Sequence, residues 1–141
     1  LSRYLRFRPR CQLVFAFESD DSQLIGHADS NWAGEDAAMR SNSGGCLRWD
    51  SATLKTWSST QSTVSICVVE AEVYALSKCA QQALALINTA SEFGNNMKAT
   101  IFTDSSSAMG ISHRQGLGGR TRHVKVQYLW LQKGWHQRSF M

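Results

Sequence analysis

"WSSTQSTVSICVVEAEVYALS", residues 57–77, contains the point where one structural period gives way to another. Just upstream, "SNSGGCLRWD" (41–50) and "TLKTWSST" (53–60) read as two strands joined by the short "DSA" turn, a hairpin. From Val69 onward the apolar positions are Val73, Leu76, Ala80, Ala83, Ile87 and Ala90. Steps of three and four mark one face of a long helix. Ser65 is a candidate cap at its start, and Gly94 a stop just after Phe93.

Working outward, "QLIGHAD" (23–29) alternates loosely and reads as a strand closing on Asp29. "KATIFTD" (98–104) reads as a strand ending on Asp104, and "SSSAMGI" as the start of a short helix. A glycine-broken loop, "HRQGLGGR" (113–120), precedes "TRHVKVQYLWLQKGW" (121–135). There Val124, Tyr128 and Leu131 have helical spacing, although the Val-rich start also suits a strand. A hairpin-forming trio, a helical crossover, a further strand and two helices predict a mixed sheet with helices packed on it. The fold class is α/β.

Composition bounds the rest. The chain has 141 residues, 43% hydrophobic and 18% charged, with one proline, which is one domain's worth of foldable chain and excludes disorder. No apolar run approaches the ~20 residues of a membrane span. The N-terminal "LSRYLRFRPR" is basic but leads into no signal-peptide core, and the missing initial Met suggests a piece of a longer polypeptide. Cys11, Cys46, Cys67 and Cys79 show no CxxC spacing and no His pair at zinc-ligand distance, so free thiols in a reducing compartment are expected. The net charge of +4 concentrates in Arg3, Arg6, Arg8 and Arg10, and again in Arg114, Arg120, Arg122, His123 and Lys125. Such clusters fit a polyanion partner and equally fit an ordinary solvated surface.

Three acids fall at informative places: Asp29 ends the first strand, Glu72 sits in the first two turns of the long helix, and Asp104 ends the fourth strand. In this topology the first and fourth strands can be neighbours, with the helix crossing above their shared edge. Three carboxylates within ~5 Å repel strongly unless cations neutralise them. Two divalent ions roughly 4 Å apart would do so, while activating a water and stabilising a leaving oxygen. Oxygen ligands without clustered His or Cys favour Mg²⁺ or Mn²⁺ over Zn²⁺. Turn chemistry for the aspartates and helix-dipole complementarity for the glutamate remain the simpler alternatives.

Four blocks carry a resemblance. "GHADSNWAGE" (26–35), "RSNSGG" (40–45), the opening stretch at 57–77, and "IFTDSSSAMGI" (101–111) with "GRTRHVKVQYLWLQ" (119–132) resemble the ribonuclease H domain of copia-type LTR retrotransposon polyproteins. "RYLRFRPRCQLVF" (3–15) resembles the linker from the upstream reverse transcriptase. The resemblance implies residues 1–20 as the tail of that region and 21–141 as a ribonuclease H-like domain. It implies metal-binding, catalytic carboxylates at Asp29, Glu72 and Asp104, with Glu70 as the fallback for Glu72. Two Mg²⁺ or Mn²⁺ ions would serve hydrolysis of the RNA strand of an RNA/DNA hybrid, leaving a 3′-hydroxyl and a 5′-phosphate. Implied hybrid contacts are Asn42 and Ser43 in the "RSNSGG" turn, Ser105 and Ser106 beside Asp104, and Arg120, Arg122 and Lys125. The hybrid, the reverse transcriptase and the integrase of the same polyprotein are the implied partners. An intracellular setting, a cytoplasmic virus-like particle or the nucleus, is implied too.

The chain departs from the family pattern in places. Asn31 stands for the second Asp of the first block, and Lys125 for an Asp. Cys67 and Val68 replace the helix-entry serines, a cap loss worth about 1 kcal/mol. Nothing before Met141 resembles the family's fourth acid, so its last strand and helix are expected to be missing. A catalytically inactive remnant that keeps the fold and a weak nucleic-acid surface is therefore the alternative reading.

Overall fold

The computed structural model describes residues 2–7, 10, 14, 22–34, 39–114 and 130–132. A short helix, α1 (Ser2–Phe7), comes first. Strands β1 (Gln23–Asn31), β2 (Asn42–Trp49) and β3 (Ala52–Thr60) follow, then helix α2 (Val68–Glu92), strand β4 (Lys98–Phe102) and helix α3 (Ser106–His113). The sheet order is β3-β2-β1-β4. The first three strands form an antiparallel meander, and β4 lies parallel to β1, with Gln23 opposite Lys98 and His27 opposite Phe102. The expected mixed sheet, antiparallel at first and then parallel, is present.

The hairpin between β2 and β3 turns at Asp50, whose φ of 50° lies in the left-handed region that a short polar side chain tolerates. Strand β1 runs two residues past the expected end at Asp29, because Ser30 and Asn31 still pair with Ser43 and Asn42. That pairing is non-local, which is why a turn-like local sequence did not reveal it. Strand β4 stops at Phe102, so Asp104 stands just beyond the strand rather than on it.

Alternation on the strands and the three-four repeat on α2 meet in one core. Leu24 and Ala28 of β1, Leu47 of β2, and Ala99 and Ile101 of β4 pack against Leu76, Cys79, Ala80 and Ala83 of α2. Small helix residues bring α2 close to the sheet. At Gly26 an added Cβ would lie 3.0 Å from the Cys79 sulfur and 3.1 Å from Leu47, so only glycine leaves the contact unstrained. Trp57 packs at the margin of this core. A second cluster, Val73 and Tyr74 with Ala108 and Ile111, seats α3 on α2. Of the expected last helix, Trp130–Gln132 are described and helical, and Leu131 is buried in the main core. No helix among the described residues is long and apolar enough to cross a membrane.

Candidate metal centre

The two parallel strands β1 and β4 bring Asp29 and Asp104 to the same end of the sheet. Helix α2 begins over that end and carries Glu72 in its second turn. One carboxylate oxygen from each of Asp29, Glu72 and Asp104 lies within 4.8 Å of the others. Asp29 and Asp104 are exposed, whereas Glu72 is 6% exposed. The aspartates border a groove of about 660 Å³ that also includes His27, Gly44, Cys46 and Phe102. The His27 and Phe102 rings stack there with centroids 5.4 Å apart.

Neither aspartate is consumed by local turn chemistry. The cap of α3 is Ser105, whose hydroxyl accepts from the Ala108 N–H at 3.1 Å, while the Ser105 N–H donates to Thr103 Oγ1. Asp29 sits within β1, opposite Gly44. Among the described residues, no hydrogen bond engages either carboxylate.

The two glutamates of the helix entry have different surroundings. Glu70 is buried, and both its oxygens are taken: Oε2 accepts from the Ile66 N–H at 2.7 Å, and Oε1 accepts from the Tyr74 hydroxyl. The N-cap is Cys67, not Ser65, and its side chain makes no capping bond. Glu70, three residues into the helix, reaches back to the entry backbone in the manner of a capping box. Glu72 points instead toward the aspartates. Its Oε1 accepts from the Ser30 hydroxyl at 2.7 Å, and its Oε2 is fully buried with no partner among the described residues.

That environment pushes the Glu72 carboxyl above its usual 4.5. Burial is the largest cause; the Ser30 hydroxyl pulls the other way, and the charges of Asp29 and Asp104 push it further up. A buried carboxylate with one oxygen lacking a donor, close to two more carboxylates, is stabilised by a proton or a cation. Three hard oxygen donors with no nitrogen or sulfur suit Mg²⁺ or Mn²⁺, so the residues present fit such ions.

The remaining sequence-derived candidates divide. Asn42 is exposed at the start of β2, Ser106 is exposed, and Ser105 is half-buried beside Asp104. Ser43 corrects the reading of "RSNSGG" as an exposed turn: it lies in β2, is 2% exposed, and its hydroxyl accepts from Gln61 at 2.9 Å. Alternation along β2 turns it inward. Arg120, Arg122, His123 and Lys125 lie outside the described residues, as does Cys11. Among the described residues, no disulfide joins Cys46, Cys67 and Cys79 to one another. Two residues around the site escaped sequence reasoning. Ser30 had a faint signal, since the family pattern has Ala between its two acids; Gln61 had one too, since it matches the Gln of the family pattern ahead of Thr63 and Val64 in the 57–77 block.

No family model matches the chain. The chain is 27% identical over 132 residues to the retrovirus-related Pol polyprotein from transposon TNT 1-94 of Nicotiana tabacum, covering 93% of this chain and 10% of that polyprotein. The chain thus spans about a tenth of the length of this curated relative. Among solved structures it is similar to LC11-RNase H1 isolated from compost by a metagenomic approach, at 14% identity and a TM-score of 0.60, over 85% of this chain and 81% of that one. A structure of LC11-RNase H1 in complex with RNA/DNA hybrid matches at 12% identity and a TM-score of 0.55, over 84% and 83%. The N-terminal RNase H domain of rv2228c from Mycobacterium tuberculosis matches at 14% identity and a TM-score of 0.54, over 84% and 77%. The fold is that of ribonuclease H, and the sequence relationship is to a retrotransposon polyprotein, as the four blocks led us to expect.

Proposed function

We propose that the chain is the ribonuclease H domain of a copia-type retrotransposon polyprotein and hydrolyses the RNA strand of an RNA/DNA hybrid. The observation that carries this reading is the convergence of Asp29, Glu72 and Asp104 within 4.8 Å, with one oxygen of Glu72 buried and unpartnered. The likeness to a nuclease solved with an RNA/DNA hybrid supports the substrate class. The polyprotein relative supports reverse transcriptase and integrase as neighbours in the full product.

Asp29, Glu72 and Asp104 would hold two Mg²⁺ or Mn²⁺ ions. When bound, such ions lower the pKa of water and stabilise the charge that builds on a phosphodiester and its leaving 3′-oxygen. The chain's own task is positioning. The Ser30 hydroxyl holds Glu72 Oε1, and one oxygen of that carboxylate lies within 4.8 Å of an oxygen of each aspartate. Asp29 and Asp104 open onto the groove, where a backbone phosphate can approach from solvent. Asn42, Ser105 and Ser106 are the candidate hydrogen-bonding contacts for the hybrid, and Arg120, Arg122 and Lys125, which lie outside the described residues, are its candidate cationic contacts. Such contacts read backbone and 2′-hydroxyls rather than base sequence.

The test is cleavage of a labelled RNA/DNA hybrid in Mg²⁺ and in Mn²⁺, beside Asp104→Asn. Metal-dependent cleavage of the RNA strand, lost in the variant, is the expected result. Cleavage that survives the substitution overturns the site. A cooperatively folding wild type that cleaves nothing supports the inactive-remnant reading instead.

A further inference from the structure

We infer that Gln61 is a positioning residue for the acidic site, tying the helix backbone just before Glu72 to strand β2; this rests on the metal-binding reading of that site. Gln61 follows β3 directly and is 7% exposed. Its backbone N–H donates to the Ser41 carbonyl at 2.7 Å. Its side-chain NH₂ donates to the Ser43 hydroxyl and to the Ala71 carbonyl, both at 2.9 Å. Its side-chain carbonyl accepts from the Ser65 hydroxyl at 2.8 Å. One side chain thus ties β2, the helix-entry loop and the second turn of α2.

The places these bonds reach give the clamp its consequence. The Ala71 carbonyl belongs to the same peptide unit as the Glu72 N–H, so Gln61 holds the helix backbone at the peptide unit that adjoins the Glu72 Cα. Ser43 pairs with Ser30 across the β1–β2 ladder, and Ser30 donates to Glu72 Oε1. The same amide therefore steadies Glu72 through its backbone and through the strand that carries its hydroxyl donor. Gly44, beside Ser43, is the register partner of Asp29, which extends the hold to the second acid. A helix and a strand that shift by a fraction of an ångström would change carboxylate spacing, and divalent ions with near-ideal octahedral demands are sensitive to that.

Only an amide fits. The site calls for two donors and one acceptor from a neutral side chain, which Gln provides. Gln61→Glu would set a carboxylate against the Ala71 carbonyl, and Gln61→Met keeps the volume but leaves three buried polar groups without their partner.

Mn²⁺ titration by calorimetry, with thermal melts of the same samples, decides the matter. Gln61→Met is expected to weaken Mn²⁺ binding about tenfold relative to wild type. Ile87→Ala, in the distal half of α2, is expected to lower the melting temperature while keeping Mn²⁺ affinity within about twofold. If Gln61→Met does not fold, Ser43→Ala serves, with an expected loss of about threefold. A folded Gln61→Met or Ser43→Ala that binds Mn²⁺ as wild type does overturns the inference alone. Wild-type protein that binds no Mn²⁺ overturns the metal reading and this inference with it.

Discussion

Replacing Glu72 by Gln should make the metal-free protein more stable while removing its response to metal. The amide carbonyl can still accept from the Ser30 hydroxyl at the position of Oε1. What disappears is a buried negative charge whose oxygen lies within 4.8 Å of the Asp29 and Asp104 carboxylates. At that separation each like-charge pair costs about 1 kcal/mol at the dielectric of water and about 3.5 kcal/mol at an effective dielectric of 20. Both aspartates are exposed, so the lower figure is the better guide, and the two pairs together come to about 2 kcal/mol. For a domain of this size that is a rise in melting temperature of roughly 5–10 °C.

The pH dependence has a definite sign. The folded-state pKa of Glu72 is raised above the 4.5 of the ordinary carboxyl, chiefly by burial. Between those two values the folded chain binds more protons than the unfolded one, so wild-type stability falls as pH rises through that window. The advantage of Glu72→Gln should therefore be small at about pH 4, below the ordinary carboxyl value, and larger at about pH 8. Urea unfolding in EDTA at both pH values measures it. Repetition at high pH with Mg²⁺ at about 100 times its dissociation constant should stabilise wild type by about 2.7 kcal/mol and leave the variant nearly unchanged. A variant less stable than wild type in EDTA at high pH, or an advantage that does not grow with pH, would refute the reasoning.

Further expectations concern the other acids, the packing and the thiols. Asp104→Asn should lower hybrid cleavage about 100-fold or more, as loss of a few kcal/mol of transition-state stabilisation implies, while leaving the melt cooperative. Gly45→Ala should destabilise the sheet by about 1–3 kcal/mol or more, read by urea unfolding. Its Cβ would fall 2.3 Å from the Trp57 ring and 2.7 Å from the His27 carbonyl. The buried Cys79 thiol, pushed up to about 12 chiefly by burial, should resist alkylation in the folded protein. Half-buried Cys46 and Cys67 should react before Cys79, with labelled peptides identified by mass spectrometry.

Much of the architecture was legible because it rests on local period. The change after Thr60 announces a helix wherever the chain sits, and the alternation in β1 announces a strand with one buried face. Motif similarity then pointed to Asp29, Glu72 and Asp104 together. Local reading went astray where distant pairing decides. The Asp29–Asn31 segment resembles a turn until β2 pairs with it, and Ser43 looks exposed until the ladder turns it inward.

The choice between Glu70 and Glu72 belongs to the same class. Two residues apart on a helix, they point about 200° from each other, so only one can face the sheet edge. Which one does depends on how α2 rolls on β1 and β2, a rotation set by Leu76, Cys79, Ala80 and Ala83 against Leu24, Ala28 and Leu47. By itself the sequence determined the order of elements, their inward faces and the residue types able to bind a hard cation, because those follow from neighbours along the chain. Tertiary structure alone decided which glutamate meets the aspartates, which hydroxyl holds it, and that Gln61 joins three segments, because these depend on contacts between residues far apart in the chain.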